Sequence, residues 1–190
     1  MKYYAVDAFS DSLFGGNPAG VCLPDRALDA SLMQQIAAEN NLAETAFAVK
    51  AGDHYDLRWF TPETEIDLCG HATLATGFVL MGIIDHDLNR VDFSTQSGLL
   101  TVEKTGEHYS MDFPSRPPVP CSIPAGLEEA LGAEVLECRR SRDLMVLLKD
   151  EEAVRTLAPD FSLLRNIKDC FGFIVTAKGE SCDFVSRFFA

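Results

Sequence analysis

The segment GHATLATGFVLMGII, residues 70–84, constrains the fold more than any other part of the chain. Its spacing predicts a helix over residues 71–84, with Leu74, Phe78 and Met81 on one face and small residues around much of the rest. A helix that is small and apolar nearly all round is stable only when it is buried. We therefore expect this helix to lie inside the fold.

The composition is that of a globular protein with a sizeable core. Of the 190 residues, 47% are hydrophobic and 24% are charged, which argues against disorder and allows one large domain or two small ones. Acidic residues outnumber basic residues by 29 to 16, so the net charge is −13. Nucleic acids and anionic membranes bind positive surfaces, and we expect neither as a partner. An acidic chain can still bind a small anion at a local positive site, so the charge of the substrate is not decided by the composition.

The N-terminus and the cysteine pattern predict a cytoplasmic protein. The opening residues MKYYAVDAF show no signal-peptide pattern, and no apolar run is long enough to cross a bilayer. The six cysteines are scattered, with neither a C-x-x-C pair nor a cluster at zinc-binding spacing. We expect reduced thiols that mostly pack in the core, and no metal site.

Apolar and alternating segments predict strands on both sides of the small helix. Before it, the strands are YYAVDAF, AGVCL, AETAFAVK and YDLRWFTP. A first helix, LDASLMQQIAAENN, has Leu32, Ile36 and Ala37 on one face and is ended by Asn40 and Asn41. After the small helix, residues 90–114 predict three strands joined by turns.

The proline-rich segment 116–126 predicts a linker. It separates a first domain, residues 1–115, from a second region, residues 127–190. The second region begins with a short helix, GLEEALG, and continues with the strands DLMVLLKD, FGFIVTA and CDFVSRFF around a helix-and-loop stretch. The chain is thus expected to alternate sheet and helix on both sides of the linker.

Glu44 is the first residue that could carry chemistry. It lies in NNLAETAF, between apolar neighbours. A carboxylate that loses solvation becomes a stronger base, as proton abstraction requires. The alternative is an ordinary surface glutamate at the start of a strand or one that caps the preceding helix.

Cys69, Gly70 and His71 stand together at the predicted start of the small helix. Gly70 lets the backbone approach a ligand closely, and the free N–H groups of residues 70–73, Thr73 included, favour an anion. His71 could hold a carboxylate, and Cys69 could act as a thiolate base. The alternative is a tight turn with a core cysteine and a capping histidine.

Asn17, in GGNPAG, is a further candidate for ligand binding. Asn before Pro is also common turn chemistry, so a purely structural role is the alternative. The chain contains no glycine-rich phosphate loop, dinucleotide fingerprint or G-x-S-x-G elbow. The common nucleotide enzymes and serine hydrolases are therefore not favoured.

Four segments together resemble the N-terminal lobe of the phenazine-biosynthesis PhzF-like family. In chain order they are VDAFSDSLFGGNPAGVCLP, LMQQIAAENNLAETAFAV, LRWFTPETEIDLCGHATLATGFVL and FSTQSGLLTVEK. The resemblance covers residues 1–115 closely and continues more loosely through DCFGFIVTA and CDFVSRFFA. No single motif is decisive, but four in register are specific.

The resemblance implies an α+β fold of the diaminopimelate epimerase type, in which each of two lobes wraps a curved mixed sheet around a central helix. It implies cofactor-independent isomerisation of a small carboxylate-bearing molecule by a homodimer, in a cleft between the lobes. The family's glutamate base falls on Glu44. The family's cleft histidine falls on His71, which would orient the substrate carboxylate together with the amides at Gly70.

Cys69 keeps a second interpretation open. In the related epimerases and proline racemases, a Cys-Gly-Asn or Cys-Gly-His element supplies one of two thiol bases, and this chain also has Cys-Gly-His. The glutamate motif favours the PhzF-like interpretation. A racemase that uses Cys69 as its base is the alternative.

One part of the family pattern is not found in these residues. The G-I-x-E-D-P-V-T-G-S-A-like segment, which carries the second lobe's central helix with its aspartate and serine, does not follow SRFFA. We therefore expect an incomplete second lobe, from truncation, a split protein or a degenerate copy. A non-catalytic remnant or interaction module is the alternative to an enzyme.

Overall fold

The computed structural model of the chain describes residues 1–12, 14–113 and 115–189. The chain divides into a first compact unit, Met1–Phe113, and a second unit that covers the rest. None of the helices in the described part of the chain is long and apolar enough to span a bilayer.

Among its described residues, the first unit contains eight strands, two α-helices and a π-helical turn. In chain order these are β1 (Lys2–Ala8), β2 (Asn17–Leu23), α1 (Ala30–Asn40), β3 (Glu44–Ala51), β4 (His54–Phe60), β5 (Glu65–Ile66), α2 (Gly70–Val79), the π-helical turn (Leu80–Ile84), β6 (Arg90–Thr95), β7 (Gly98–Thr105) and β8 (His108–Met111). All the strands predicted in this region are present. The predicted small helix is α2 together with the π-helical turn.

The eight strands form one mixed sheet that curls around α2. Its order is β1-β2-β3-β4-β6-β7-β8, with β5 paired to β4. The β2–β3 and β4–β6 pairs are parallel and the other pairs are antiparallel. Helix α2 contacts β1, β2 and β3 at one end of the sheet and β7 and β8 at the other. A sheet that touches one helix with both ends must wrap around it.

The small residues of α2 are what allow this enclosure. Seven of its ten residues are buried, and they include Ala72, Ala75 and Thr76. At Gly77 an added Cβ would lie 2.7 Å from a methyl carbon of Val102 on β7, which is closer than carbon atoms can pack. Glycine at this position therefore sets how closely the helix approaches the sheet.

Each of the two predicted helix faces includes an exposed side chain. Phe78, which shares the predicted face of α2 with Leu74 and Met81, is 39% exposed and packs edge-on against Tyr109. Most of the buried residues of α2 are small, because the sheet lies close to the helix. In α1, Leu32 is 44% exposed, and Met33 and Ala37 pack on the outer face of the sheet.

The second unit has a smaller sheet with short helices. In chain order its elements are β9 (Val119–Pro120), α3 (Leu127–Leu131), β10 (Glu137–Arg140), β11 (Leu144–Leu147), α4 (Glu151–Thr156), α5 (Phe161–Leu164), β12 (Phe173–Lys178) and β13 (Phe184–Phe189). The sheet order is β13-β12-β11-β10-β9, with only the β11–β12 pair parallel among the described pairs. The residues predicted as a linker, 116–126, contribute β9 to this sheet, so they are not wholly a spacer.

The second unit has its own core and its own polar anchor. Leu127, Leu144 and Val175 are fully buried within it. The guanidinium of Arg187 on β13 donates to the backbone carbonyls of Leu157 at 2.6 Å and Val154 at 3.1 Å. This contact satisfies carbonyls at the C-terminal end of α4 that have no partner within the helix.

The packing of α2 against β7 can be tested with Gly77→Ala. Alanine is normally the better helix former by about 1 kcal/mol. Here we expect the free energy of unfolding to fall by about 1–3 kcal/mol, because the new methyl group overlaps Val102. Fluorescence of Trp59, the single tryptophan and a buried residue of the first unit, reports urea unfolding of that unit.

The control is the double variant with Val102→Ala, which makes room for the new methyl group. Its loss of stability should be smaller than the sum of the two single losses. Two results would contradict the close approach of α2 to β7. One is losses of unfolding free energy that add in the double variant, and the other is a Gly77→Ala variant as stable as the wild type.

Candidate active site

Glu44 is placed by the turn that connects α1 to β3. Asn41 adopts the left-handed conformation, with φ 49° and ψ 35°, and its N–H donates to the carbonyl of Ala37 at 3.1 Å. Asparagine tolerates this conformation better than most residues, so it ends the helix as predicted. The Asn40 amide donates to the hydroxyl of buried Thr45 at 3.3 Å and joins the helix end to the strand. Glu44 is thereby fixed as the first residue of β3.

His71 reaches Glu44 from the start of α2. The helix begins after Cys69, whose extended backbone (φ −142°, ψ 113°) makes it the N-cap, and His71 is the second helical residue. The His71 Nε2 atom lies 3.1 Å from Glu44 Oε2, and the two side chains are 9% and 19% exposed. The structure thus brings together the two residues that the sequence singled out as base and cleft histidine.

The Glu44–His71 contact is close but bent. The distance is that of an ion pair, yet the atoms do not reach hydrogen-bond geometry, and neither has another partner in the described part of the chain. A small rotation of either side chain would align the imidazole with the carboxylate oxygen for a hydrogen bond, so the two groups are partners in this site.

Cys69 lies on the other side of the imidazole. Its Sγ is 3.5 Å from His71 Nδ1, and the residue is 6% exposed. Burial, followed by the negative charge of Glu44, raises the pKa of the Cys69 thiol to about 12, and the N–H of Ala72 opposes this shift. Both causes favour the protonated thiol, which can donate a hydrogen bond to the imidazole.

Glu44, Cys69 and His71 also form a group that could supply ligands to a metal ion. One donor atom from each lies within 4.8 Å of the others. An oxygen, a nitrogen and a sulfur donor suit a zinc-like ion. However, Cys69 and Glu44 contact opposite nitrogens of the ring, and a metal has access to only one nitrogen at a time. The present arrangement fits a chain of hydrogen-bonding groups better than a preformed metal site.

The first turn of α2 offers backbone donors that no helix carbonyl accepts. The N–H of Thr73 donates to the carbonyl of Cys69, so the N–H groups of residues 70–72 have no carbonyl partner within the helix, and that of Ala72 is directed at the Cys69 sulfur. No acidic side chain stands in this turn. The positive end of the ten-residue helix therefore faces the neighbourhood of Glu44 and His71 without a counter-charge of its own.

Three predicted ligand-binding residues have different surroundings. Thr73 is fully buried and its hydroxyl donates to the Cys69 carbonyl at 2.6 Å, so its side chain stabilises the first turn and is not available to a ligand. At Gly70 an added Cβ would meet the ring of Phe113 at 3.0 Å. A side chain at this position would require the Phe113 ring to shift slightly, a contact that no local pattern in the sequence signals.

Asn17 lies at the same end of the sheet as Glu44. It is the first residue of β2, and the parallel register pairs Ala19 of β2 with Glu44 of β3. For this register the Cα atoms of Asn17 and Glu44 are about 8 Å apart. A ligand held at Glu44 is therefore within reach of the Asn17 amide.

Comparison with known proteins places this chain in a recognised family. Residues 6–190 match the PhzC-PhzF family model, described as phenazine biosynthesis-like protein. An uncharacterized isomerase of Pseudomonas aeruginosa is 50% identical over 189 residues, which is 100% of this chain and 73% of that protein. An uncharacterized isomerase of Halalkalibacterium halodurans is 45% identical over 98% of this chain and 72% of its own length.

A solved structure gives the same result for the fold. The crystal structure of a phenazine biosynthesis protein of the PhzF family from Enterococcus faecalis superimposes with a TM-score of 0.93 and 52% sequence identity. The match covers 98% of this chain and 72% of that one. The predicted α+β fold of the diaminopimelate epimerase type, with a curved mixed sheet around a central helix, is confirmed.

The ionisation of Cys69 provides a direct test of the site's electrostatics. We expect iodoacetamide to alkylate Cys69 slowly between pH 7 and pH 9, while exposed Cys182 reacts readily. Glu44→Gln removes a negative charge that raises the pKa of Cys69, so it should accelerate alkylation of Cys69 at each pH. Peptide mass spectrometry follows each cysteine separately. An unchanged rate in Glu44→Gln would contradict the coupling of the two groups.

Proposed function

We propose that this chain, which belongs to the PhzC-PhzF family of phenazine biosynthesis-like proteins, is an isomerase that uses Glu44 to move a proton on a small carboxylate-bearing molecule. The names of the Pseudomonas and Halalkalibacterium relatives support the reaction class. The observation that carries the proposal is the contact of Glu44 Oε2 with His71 Nε2 at 3.1 Å, where both atoms are buried and without another partner.

Glu44 acts as the general base. Its carboxylate removes a proton from an activated carbon, so that the C–H bond breaks, an O–H bond forms, and the electron pair moves into the adjacent unsaturated group of the substrate. The same carboxyl group then returns the proton to another carbon, or to the other face of the same carbon. The carboxylate is 19% exposed, so a substrate carbon can reach it while most of its surface is covered by protein.

His71 stabilises charge during this transfer. With Nε2 protonated, its N–H faces the Glu44 carboxylate before the proton is taken and can turn to the substrate afterwards. The contact is bent in the free chain, so a modest shift of the ring is enough to change partners. His71 therefore orients the substrate and balances the negative charge that proton removal creates.

The substrate carboxylate is assigned to the start of α2. The N–H groups of Gly70 and His71, which no helix carbonyl accepts, and the positive end of the helix favour an anion there. Asn17 supplies an amide from the neighbouring strand. Proton transfer of this kind needs an acid and a base but no cofactor. The homodimer, which the family resemblance implies, remains a prediction. The cytoplasmic location, which the N-terminus and the cysteine pattern indicate, remains one too.

Cys69 is a positioning residue in this proposal. A protonated thiol beside Nδ1 donates to that nitrogen and leaves the ring proton on Nε2, where it faces Glu44. The high pKa of the thiol disfavours the alternative in which Cys69 is the base of a racemase.

The test is deuterium incorporation from D₂O, followed by NMR, with a panel of small carboxylates and amino acids. We expect exchange at one carbon in the wild type and a loss of about 10²–10⁴-fold in Glu44→Gln. Glu39→Gln, which changes an exposed glutamate on α1, is the matched control and should keep full activity. His71→Gln should lose activity less severely than Glu44→Gln.

Two results would contradict the proposal. Exchange that survives Glu44→Gln but disappears in Cys69→Ala would favour the cysteine-dependent racemase. A folded wild-type chain that exchanges no member of a broad panel would favour the non-catalytic alternative.

A further inference from the structure

The second unit contains a pair of cysteines that the proposed reaction does not use. Cys121 follows β9 and Cys138 lies in β10, and their Sγ atoms are 3.5 Å apart. Cys138 is 4% exposed, whereas Cys121 is half-buried. Two thiols at van der Waals distance, one of them open to solvent, differ from the isolated core cysteines that the sequence predicts.

The strand register sets the two residues directly opposite each other. The antiparallel pairing of β9 with β10 joins Val119 to Arg140 and Pro120 to Arg139, so Cys121 follows as the partner of Cys138. The N–H of Cys121 donates to the carbonyl of Cys138 at 3.0 Å, which extends the ladder by one step. Hydrogen-bonded antiparallel partners have Cα atoms about 5.5 Å apart, within the range that disulfides span.

The surroundings give the two sulfurs different roles. Burial, followed by the neighbouring Cys121, raises the pKa of Cys138 to about 12, and the positive charge of Arg140 opposes the shift. Cys138 is thus a protected thiol in the core. Cys121 is the one that a reagent from solvent meets first.

We infer that Cys121 and Cys138 form a reversible intramolecular disulfide when the chain meets a peroxide. In the first step Cys121 sulfur attacks the peroxide, the O–O bond breaks, a sulfenic acid forms and one water leaves. In the second step Cys138 sulfur attacks Cys121 sulfur, the S–O bond breaks, the S–S bond forms and a second water leaves. The two thiols lose two electrons in total, and the peroxide is reduced to two waters.

The disulfide would close a loop around α3 and fix β9 to the sheet. Strand β9 has only two residues and lies at the sheet edge, so few backbone hydrogen bonds hold it. A covalent bond across β9 and β10 restricts the unfolded chain and holds the segment through which the polypeptide enters the second unit. Oxidation should therefore stabilise the second unit locally and leave Glu44 and His71 chemically unchanged.

The experiment treats the fully reduced chain with graded hydrogen peroxide, traps free thiols with N-ethylmaleimide and counts them by intact mass. The chain has six cysteines, so we expect two to be lost and four to be trapped, with recovery of all six after dithiothreitol. Peptide mapping should find the Cys121–Cys138 link within one chain. Hydrogen exchange of residues 121–138 should slow on oxidation.

Matched variants separate this pair from the other cysteines. Cys121→Ser and Cys138→Ser should each abolish the intramolecular link. If replacing the buried Cys138 impairs folding, Cys121→Ser alone provides the test. Cys182→Ser, which removes an exposed cysteine, should keep the link. Cys170 is also half-buried and packs against the same core as Cys121, so it is the alternative partner. Six free thiols after peroxide, a link through Cys170, or only intermolecular links would overturn the inference. None of these readouts depends on Glu44, so failure here is distinct from failure of the proposed function.

Discussion

The close packing of α2 inside its curled sheet is the constraint on which the rest of the first unit depends. Small side chains, and Gly77 against Val102 in particular, let the helix axis lie near the strands. Because both ends of the sheet contact α2, the N-terminus of this helix is held in place beside the start of β3. The position of His71 next to Glu44 is a consequence of this enclosure.

Burial then decides the chemistry of the groups at the helix start. Glu44, His71 and Cys69 form a chain of contacts in which the imidazole touches a carboxylate on one side and a thiol on the other. In this environment the thiol keeps its proton. The carboxylate has a protein partner but remains partly open. The same helix supplies the anion-favouring N–H groups, so in the proposed mechanism one element serves both substrate orientation and charge stabilisation.

Much of the fold was predictable because its signals are local. The small-residue helix, the alternating strands and the asparagine helix stop each depend on a few neighbouring residues. What the local pattern does not give is tertiary packing: Phe78 and Leu32 share helix faces with buried residues but are exposed, because the distance of the sheet from each helix decides which side chains fit. Residues 116–126 read as a linker because proline disfavours central strands, yet an edge strand tolerates it.

The candidate site was less accessible to sequence reasoning than the fold. Glu44 and His71 belong to different elements, and their contact depends on long-range pairing that no local pattern encodes. Only the family resemblance linked them. The thiolate interpretation of Cys69 followed from its place at a helix start, where the dipole lowers a thiol pKa. Burial and the nearby carboxylate outweigh that effect, and neither was visible before the fold was known.

The measurement that tests this account most directly is the protonation pattern of the His71 ring, observed by ¹⁵N NMR in its neutral form. We expect the tautomer with the proton on Nε2 and an unprotonated Nδ1 beside the Cys69 thiol. We also expect that Glu44→Gln shifts the Nε2 resonance. A proton on Nδ1 with an unprotonated Nε2 would contradict this prediction. An Nε2 resonance that is unchanged in Glu44→Gln would contradict it as well.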